Sequence, residues 1–289
     1  MTYPDQTIAL DKPDAAAAAQ LVASSGMLKK ATTPTLATLA SGTFAGLIIG
    51  LGFVFYTTTQ VGASDMPWGM AKTVGGLVFS GALFVIMVLG LDLFTSSTMT
   101  TLPLVEGKLG PRRLLRHWGL VYFSNMLGAT LLGVLILGSG THRYHDGEWG
   151  AVLVKSALGK VGHTWVESFT LGVLCNLLVC IAVWVGFHGK SVVEKLAAVV
   201  FPIPMFVATG FEHSVANMFI VPTALAAKAE ASPELMRSLG DVQLEGLTVE
   251  AYLWWNLLPV TLGNIVGGGL LVALGMWAWQ RGKAGRAGE

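Results

Sequence analysis

Hydrophobic residues run through this chain in stretches longer than the core elements of a soluble domain. The first charge-free stretch reaches from Ala31 to Ser64, with its apolar centre between Phe44 and Tyr56. A second starts after Lys72 and continues to Leu91; Asp92 interrupts it, and Leu93 to Val105 resumes the apolar pattern. A third runs from about Trp118 to Gly138, behind the basic cluster Arg112, Arg113 and Arg116. The polar segment Ser139 to Glu167 follows, and then a fourth stretch from roughly Ser168 to Phe187. The fifth extends from Leu196 to Ala227 and is broken at Glu212-His213. A second polar segment, Lys228 to Glu250, separates it from a sixth stretch at about Tyr252 to Trp279. A bilayer core takes about 20 apolar residues of helix. The pattern therefore predicts an all-α integral membrane protein with six transmembrane helices, of which spans two and five are broken.

Composition agrees with this. Of 289 residues, 53% are hydrophobic and 12% charged, where soluble domains carry about 25% charge. A formal net charge of +1 without a basic cluster speaks against nucleic-acid binding. Cys175 and Cys180 share one apolar run, as buried thiols do. No basic segment followed by an apolar one opens the chain, so no cleavable signal is expected. Pro13 to Lys30 reads as a short helix at the membrane surface or in the cytoplasm. Six spans place both termini on one face. With that face cytoplasmic, it holds twelve of the 18 basic residues, including Lys12, Lys29, Lys30, Lys108, Arg281, Lys283 and Arg286, as the positive-inside rule requires. The expected organisation is a cytoplasmic N-terminal helix region (1–35), a six-span domain (36–280) and a cytoplasmic tail (281–289).

An acid and a histidine at membrane depth cost several kcal/mol unless they face a cavity or a partner, so Glu212-His213 marks a functional site. The two halves of the chain echo each other around it. Gly90-Leu-Asp-Leu-Phe-Thr-Ser96 corresponds to Gly210-Phe-Glu-His-Ser214, and Pro103 and Pro222 follow at similar distances. Ser124-Asn-Met-Leu-Gly-Ala129 corresponds to Gly263-Asn-Ile-Val-Gly-Gly268. Three spans per half make this an inverted 3+3 repeat, roughly 36–140 and 163–280. Paired interrupted helices in inverted halves mark a transport pathway near the midplane. Asp92, Glu212, Asn125, Asn217 and Asn264 are suited to bond the backbone groups that the breaks set free. Gly42, Gly46, Gly50 and Gly52 suit close helix packing in lipid.

With these residues quoted, the chain resembles the formate/nitrite transporter family over nearly its whole length. The resemblance rests on Phe55-Tyr56, Met66-Pro-Trp-Gly-Met-Ala-Lys72 followed by Gly75-Gly76, Asp92-Leu-Phe-Thr-Ser96, Gly210-Phe-Glu-His-Ser-Val-Ala-Asn-Met218 and Gly263-Asn264. The first break and the phenylalanine before Glu212 favour the formate branch. The resemblance implies an aquaporin-like fold, one pore per protomer, a homopentamer in a bacterial inner membrane, and small monovalent anions as substrates. Formate comes first, and a nitrite or hydrosulfide channel of the same fold is the alternative. Carried over by residue, Leu83, Leu93 and Phe94 match the cytoplasmic-side constriction and Phe206 the periplasmic-side one. Thr95 and His213 match the central polar pair, Asn176 lies nearby, and Lys160 matches a lysine at the periplasmic entrance. Gly162-His163 departs from the family's adjacent histidines. In this reading His213 hydrogen-bonds or protonates the anion, with Thr95 as second partner. Leu91 to Ser97 is a candidate mobile gate. Lys160 would draw anions into the outer funnel.

No metal or cofactor is expected. A histidine-ligated membrane enzyme would need convergent histidines, and the six here are scattered; His142 and His145 have metal-like spacing without further ligands. A water or glycerol channel would carry Asn-Pro-Ala at its broken helices, which neither break does.

Overall fold

The computed structural model describes residues 15–286. The first 14 residues of the expected N-terminal region, Lys12 among them, and residues 287–289 of the expected tail lie outside the described residues. Every regular element among the described residues is helical. The chain opens with α1 (Ala15–Thr32), α2 (Thr35–Gln60) and α3 (Trp68–Leu89). After four non-helical residues come α4 (Phe94–Ser97), a 3-10 turn (Thr98–Thr100) and α5 (Thr101–Val105). The middle of the chain is α6 (Pro111–Gly138), α7 (Glu148–Val161) and α8 (Trp165–Gly186). Then follow α9 (Val192–Val200), α10 (Pro202–Ala208), α11 (Ser214–Glu230) and α12 (Pro233–Leu239). The last helix is continuous but alternates in winding: a π-helical turn at Ala251–Leu257, α13 (Leu258–Asn264), a π-helical stretch at Ile265–Leu274 and α14 (Gly275–Arg286).

Five of these helices are long and apolar enough to cross a membrane: α2, α3, α6, α8 and the stretch Ala251–Gly282. The fifth sequence stretch is not among them. It divides into α9, α10 and α11, because Pro202 lacks an N–H and opens a new helix, and because the chain unwinds again at Thr209 to His213. Two boundaries also shift. Helix α3 begins four residues before Lys72, at a Pro67 N-cap, and α6 takes in Arg112, Arg113 and Arg116, because Pro111 is pre-set for a first helical position. The polar segments are less irregular than their composition implies. The first contains α7, and α11 and α12 occupy part of the second.

Local chemistry sets the starts. Thr164 caps α8 in a reciprocal box: its hydroxyl accepts from the Glu167 N–H, and the Glu167 carboxylate accepts from the Thr164 N–H at 2.7 Å. Ser191 and Glu194 do the same for α9. Helix crossings depend on glycine. On α2 and α6, a Cβ at Gly46 would lie 2.8 Å from the carbonyl carbon of Asn125, and one at Gly128 would lie equally close to Thr43. Between α8 and the last helix, Gly172, Gly263 and Gly267 face partner backbone in the same way. The buried core joins Phe219, Ile203, Val179 and Leu102 with the two free thiols Cys175 and Cys180. Large apolar side chains such as Leu36 (79% exposed), Phe44 (60%) and Phe123 (63%) point outward, as they do where the solvent is hydrocarbon.

Candidate functional site

The two helix interruptions are built alike. Helix α3 ends at Gly90, whose φ of +70° only glycine adopts cheaply, and the Leu91 N–H reaches back to the Ile86 carbonyl. Before α11, Gly210 has φ +77°, and the Phe211 N–H reaches back to the Phe206 carbonyl. Neither glycine is crowded by a neighbour, so backbone conformation alone accounts for both.

Each interruption is held by one asparagine from another helix. Asn125 of α6 donates to the carbonyls of Asp92 (2.9 Å) and Gly42 (2.8 Å) and accepts from the Phe94 N–H (2.8 Å). Asn264 of α13 donates to the carbonyls of Glu212 (3.0 Å) and Gly172 (2.8 Å) and accepts from the Ser214 N–H (3.0 Å). Both amides are fully buried, and each spends both its N–H donors and its oxygen on backbone that would otherwise be orphaned in an apolar interior.

A lysine–carboxylate pair reinforces each interruption. Lys30 lies 3.3 Å from Asp92 and also donates to the carbonyls of Gly90 and Leu91. Lys160 lies 2.9 Å from Glu212. Glu212 accepts in addition from Asn217 (2.6 Å) and Asn256 (3.1 Å), which bond each other at 2.7 Å. Asn256 also donates to the Lys160 carbonyl. Lys30 sits on α1 and Lys160 on α7, each beside one interruption.

His213 is the N-cap of α11. Its Nδ1 accepts from the Ala216 N–H at 3.1 Å, which fixes the proton of the neutral ring on Nε2. That nitrogen lies 3.1 Å from Thr95 Oγ1, so it donates, and the threonine hydroxyl keeps its own hydrogen for another acceptor. The ring lies near-parallel to Phe206, 5.9 Å between centroids at 21°. A cavity of about 280 Å³ reaches His213 and Phe206 and is lined also by Lys160, Lys72 and His163. A second cavity, of about 110 Å³, is lined by Leu83, Ser96, Lys30 and Lys195. One cavity thus ends on His213 and the other on Ser96, the neighbour of its partner Thr95.

The sequence-derived residues fall into two groups. Thr95, His213, Phe206 and Leu83 gather at or between the cavities. Leu93 is fully buried, and Phe94 packs edge-on against Tyr122 at 4.8 Å. Asn176 does not line either cavity; its amide is spent on the carbonyls of Thr95 and Asn264 and on Thr98 Oγ1. It positions Thr95. Lys160 is on a helix and ion-paired, not on a solvated loop. His142 and His145 pair with Glu230 and Glu148. Sequence reasoning missed Asn256 and the role of Lys30. An amide inside the sixth apolar stretch was the available sign of the first; the second shows only when α1 is matched with α7.

Residues 16–278 match the model of the formate/nitrite transporter family. The chain belongs to that family. It is 43% identical over 263 residues to the formate channel FocA of Escherichia coli K12, covering 90% of this chain and 92% of that one. It is 41% identical over 247 residues to FocA of Haemophilus influenzae, covering 85% and 87%. Among solved structures, a pentameric formate channel with formate bound superposes with a TM-score of 0.80 at 39% identity, covering 85% of this chain and 96% of that one. A second ion channel of the family gives a TM-score of 0.73 at 26% identity, covering 92% and 98%. Membership of a transporter family identifies this as a membrane protein and sets aside the enzyme reading.

Proposed function

We propose that this protein conducts formate and related small monovalent anions through a pore in each protomer of a homopentamer. The observation that carries the reading is the Thr95–His213 hydrogen bond between two cavities. With Nε2–H donated to Thr95, the threonine hydroxyl hydrogen is the donor left for an anion, and opening the pair would free Nε2–H as a second. Relatives named formate channels, and a solved pentamer with formate bound, support the substrate class.

In this reading α3 with α4 and α5 forms span two and α9 to α11 form span five, giving six spans in an aquaporin-like inverted repeat. The matched asparagine and lysine clamps support that symmetry and extend the repeat outward from 36–140 and 163–280 to include α1 and α7. The core domain keeps the bounds 36–280. Both termini are cytoplasmic in a bacterial inner membrane, so the Lys160 cavity faces outward and the Lys30 cavity inward. Leu83, Leu93 and Phe94 close the inner side and Phe206 the outer side, as apolar constrictions that exclude hydrated ions.

Electrical recording in bilayers, with formate, acetate, nitrite and chloride compared over about pH 5 to 8, where free imidazole titrates, tests the reading. The decisive variant is His213→Asn. Asparagine caps helices well and keeps α11 in place while moving the donor. Formate current is expected to fall at least tenfold with the protein still folded. Unchanged formate current with unchanged pH dependence would overturn the role of His213.

A further inference from the structure

We infer that Lys72, not Lys160, supplies the anion-attracting charge of the outer cavity; the inference rests on the anion-channel reading above. Three lysines line that cavity: Lys72, Lys155 and Lys160. Lys160 is ion-paired to Glu212 at 2.9 Å, with only 16% of its side chain exposed and 1% of its partner's. To an approaching anion this pair is a dipole whose field decays much faster than that of a free charge. Lys155 is exposed, so water and salt screen it.

Lys72 differs from both. It is half-buried, and its ammonium donates to the Tyr56 hydroxyl at 2.9 Å and lies 5.5 Å from the centre of the same ring. Both partners are neutral, so the positive charge stays uncompensated. The phenol hydroxyl holds it at the edge of the ring. Tyr56, Phe79 and Phe206 make the cavity wall apolar, and a low-dielectric wall focuses a charge's field into the cleft. Lys72 thus acts as a specificity residue for charge, raising the local concentration of anions before they reach His213.

The test is anion flux into proteoliposomes at low ionic strength for wild type, Lys72→Gln, Lys155→Gln and Tyr56→Phe. Lys72→Gln is expected to raise the half-saturating formate concentration about three- to tenfold, with maximal flux little changed, as one charge in a cleft predicts. The difference should shrink as salt shortens the Debye length below about 10 Å. Lys155→Gln should shift half-saturation less than twofold. Tyr56→Phe keeps the charge and should keep most of the affinity, which separates charge from local packing. An unchanged half-saturation in a conducting Lys72→Gln channel, or a loss that salt does not diminish, would overturn the inference alone. A wild-type protein that conducts no anion would overturn both this inference and the channel reading.

Discussion

Replacing Asn264 with alanine removes three hydrogen bonds at once: those to the Glu212 and Gly172 carbonyls and from the Ser214 N–H. All three backbone groups lie where the amide is fully buried, so water cannot replace it. Each buried group left unpaired costs about 1–3 kcal/mol, while interhelical bonds in membranes average nearer 0.6 kcal/mol. Three groups together then place the loss at roughly 2–5 kcal/mol, well outside the ±0.5 kcal/mol of an ordinary surface change. Asn125→Ala removes the same three types of bond at the other break, so the two losses should agree within about 1 kcal/mol. Thermal or denaturant unfolding of the detergent-solubilised protein measures both, with the exposed Gln243→Ala as control. Flux should fall with stability, because each amide fixes the chain on which Thr95 or His213 sits. Stability and flux matching the control for either asparagine would refute the clamp.

The buried ion pair gives a double-mutant cycle. Lys160→Met strands Glu212 without its cation and should cost roughly 3–5 kcal/mol, while Lys160→Met with Glu212→Gln should recover most of that loss in the same unfolding assay. Gly90→Ala and Gly147→Ala separate conformation from collision. Gly90 needs only its φ of +70° and has open space around it, so about 1 kcal/mol is expected; Gly147 at φ +84° would also drive a methyl into the Glu234 backbone and should lose more. Glu106 anchors α1, accepting from Gln20 (3.1 Å) and Ser24 and pairing with Lys108 (2.8 Å). Burial alone would raise its carboxyl, but these partners outweigh burial and hold it below the usual carboxylate value. A depressed folded value means that the stabilisation is present above the unfolded pKa and is lost as pH falls through the folded one. Hydrogen-exchange protection of α1, relative to the intrinsic rate at each pH, should therefore fall in acid, and Glu106→Gln should flatten that dependence.

Much of this was legible because hydrocarbon tolerates so few polar residues that each one in an apolar run signals a role. Asp92, Asn125, Glu212 and Asn264 stood out for that reason; the two asparagines bond backbone groups of the breaks as expected, whereas the carboxylates of Asp92 and Glu212 meet Lys30 and Lys160 instead. The glycines preceding the acids located the breaks to within a residue or two. What stayed hidden was pairing across distance. Nothing near Lys30 in sequence says that it meets Asp92, and composition made α7 look like loop because one face of it is polar. Asn176 shows the opposite failure: its position beside the central pair was right, but an amide has four bonds to give, and only packing reveals which groups take them. The double break in the fifth stretch was written in Pro202, a signal masked by the apolar residues on either side.

The two interruptions are not identical at their centres. Leu93 stands where the other half has His213, and Val215 where the first has Thr95, although the clamps around them are the same. The two interruptions thus carry one hydrogen-bonding station between them, Thr95 with His213. For a conducting pore this means a single shallow resting place. An anion at that stop has no second one to be handed to.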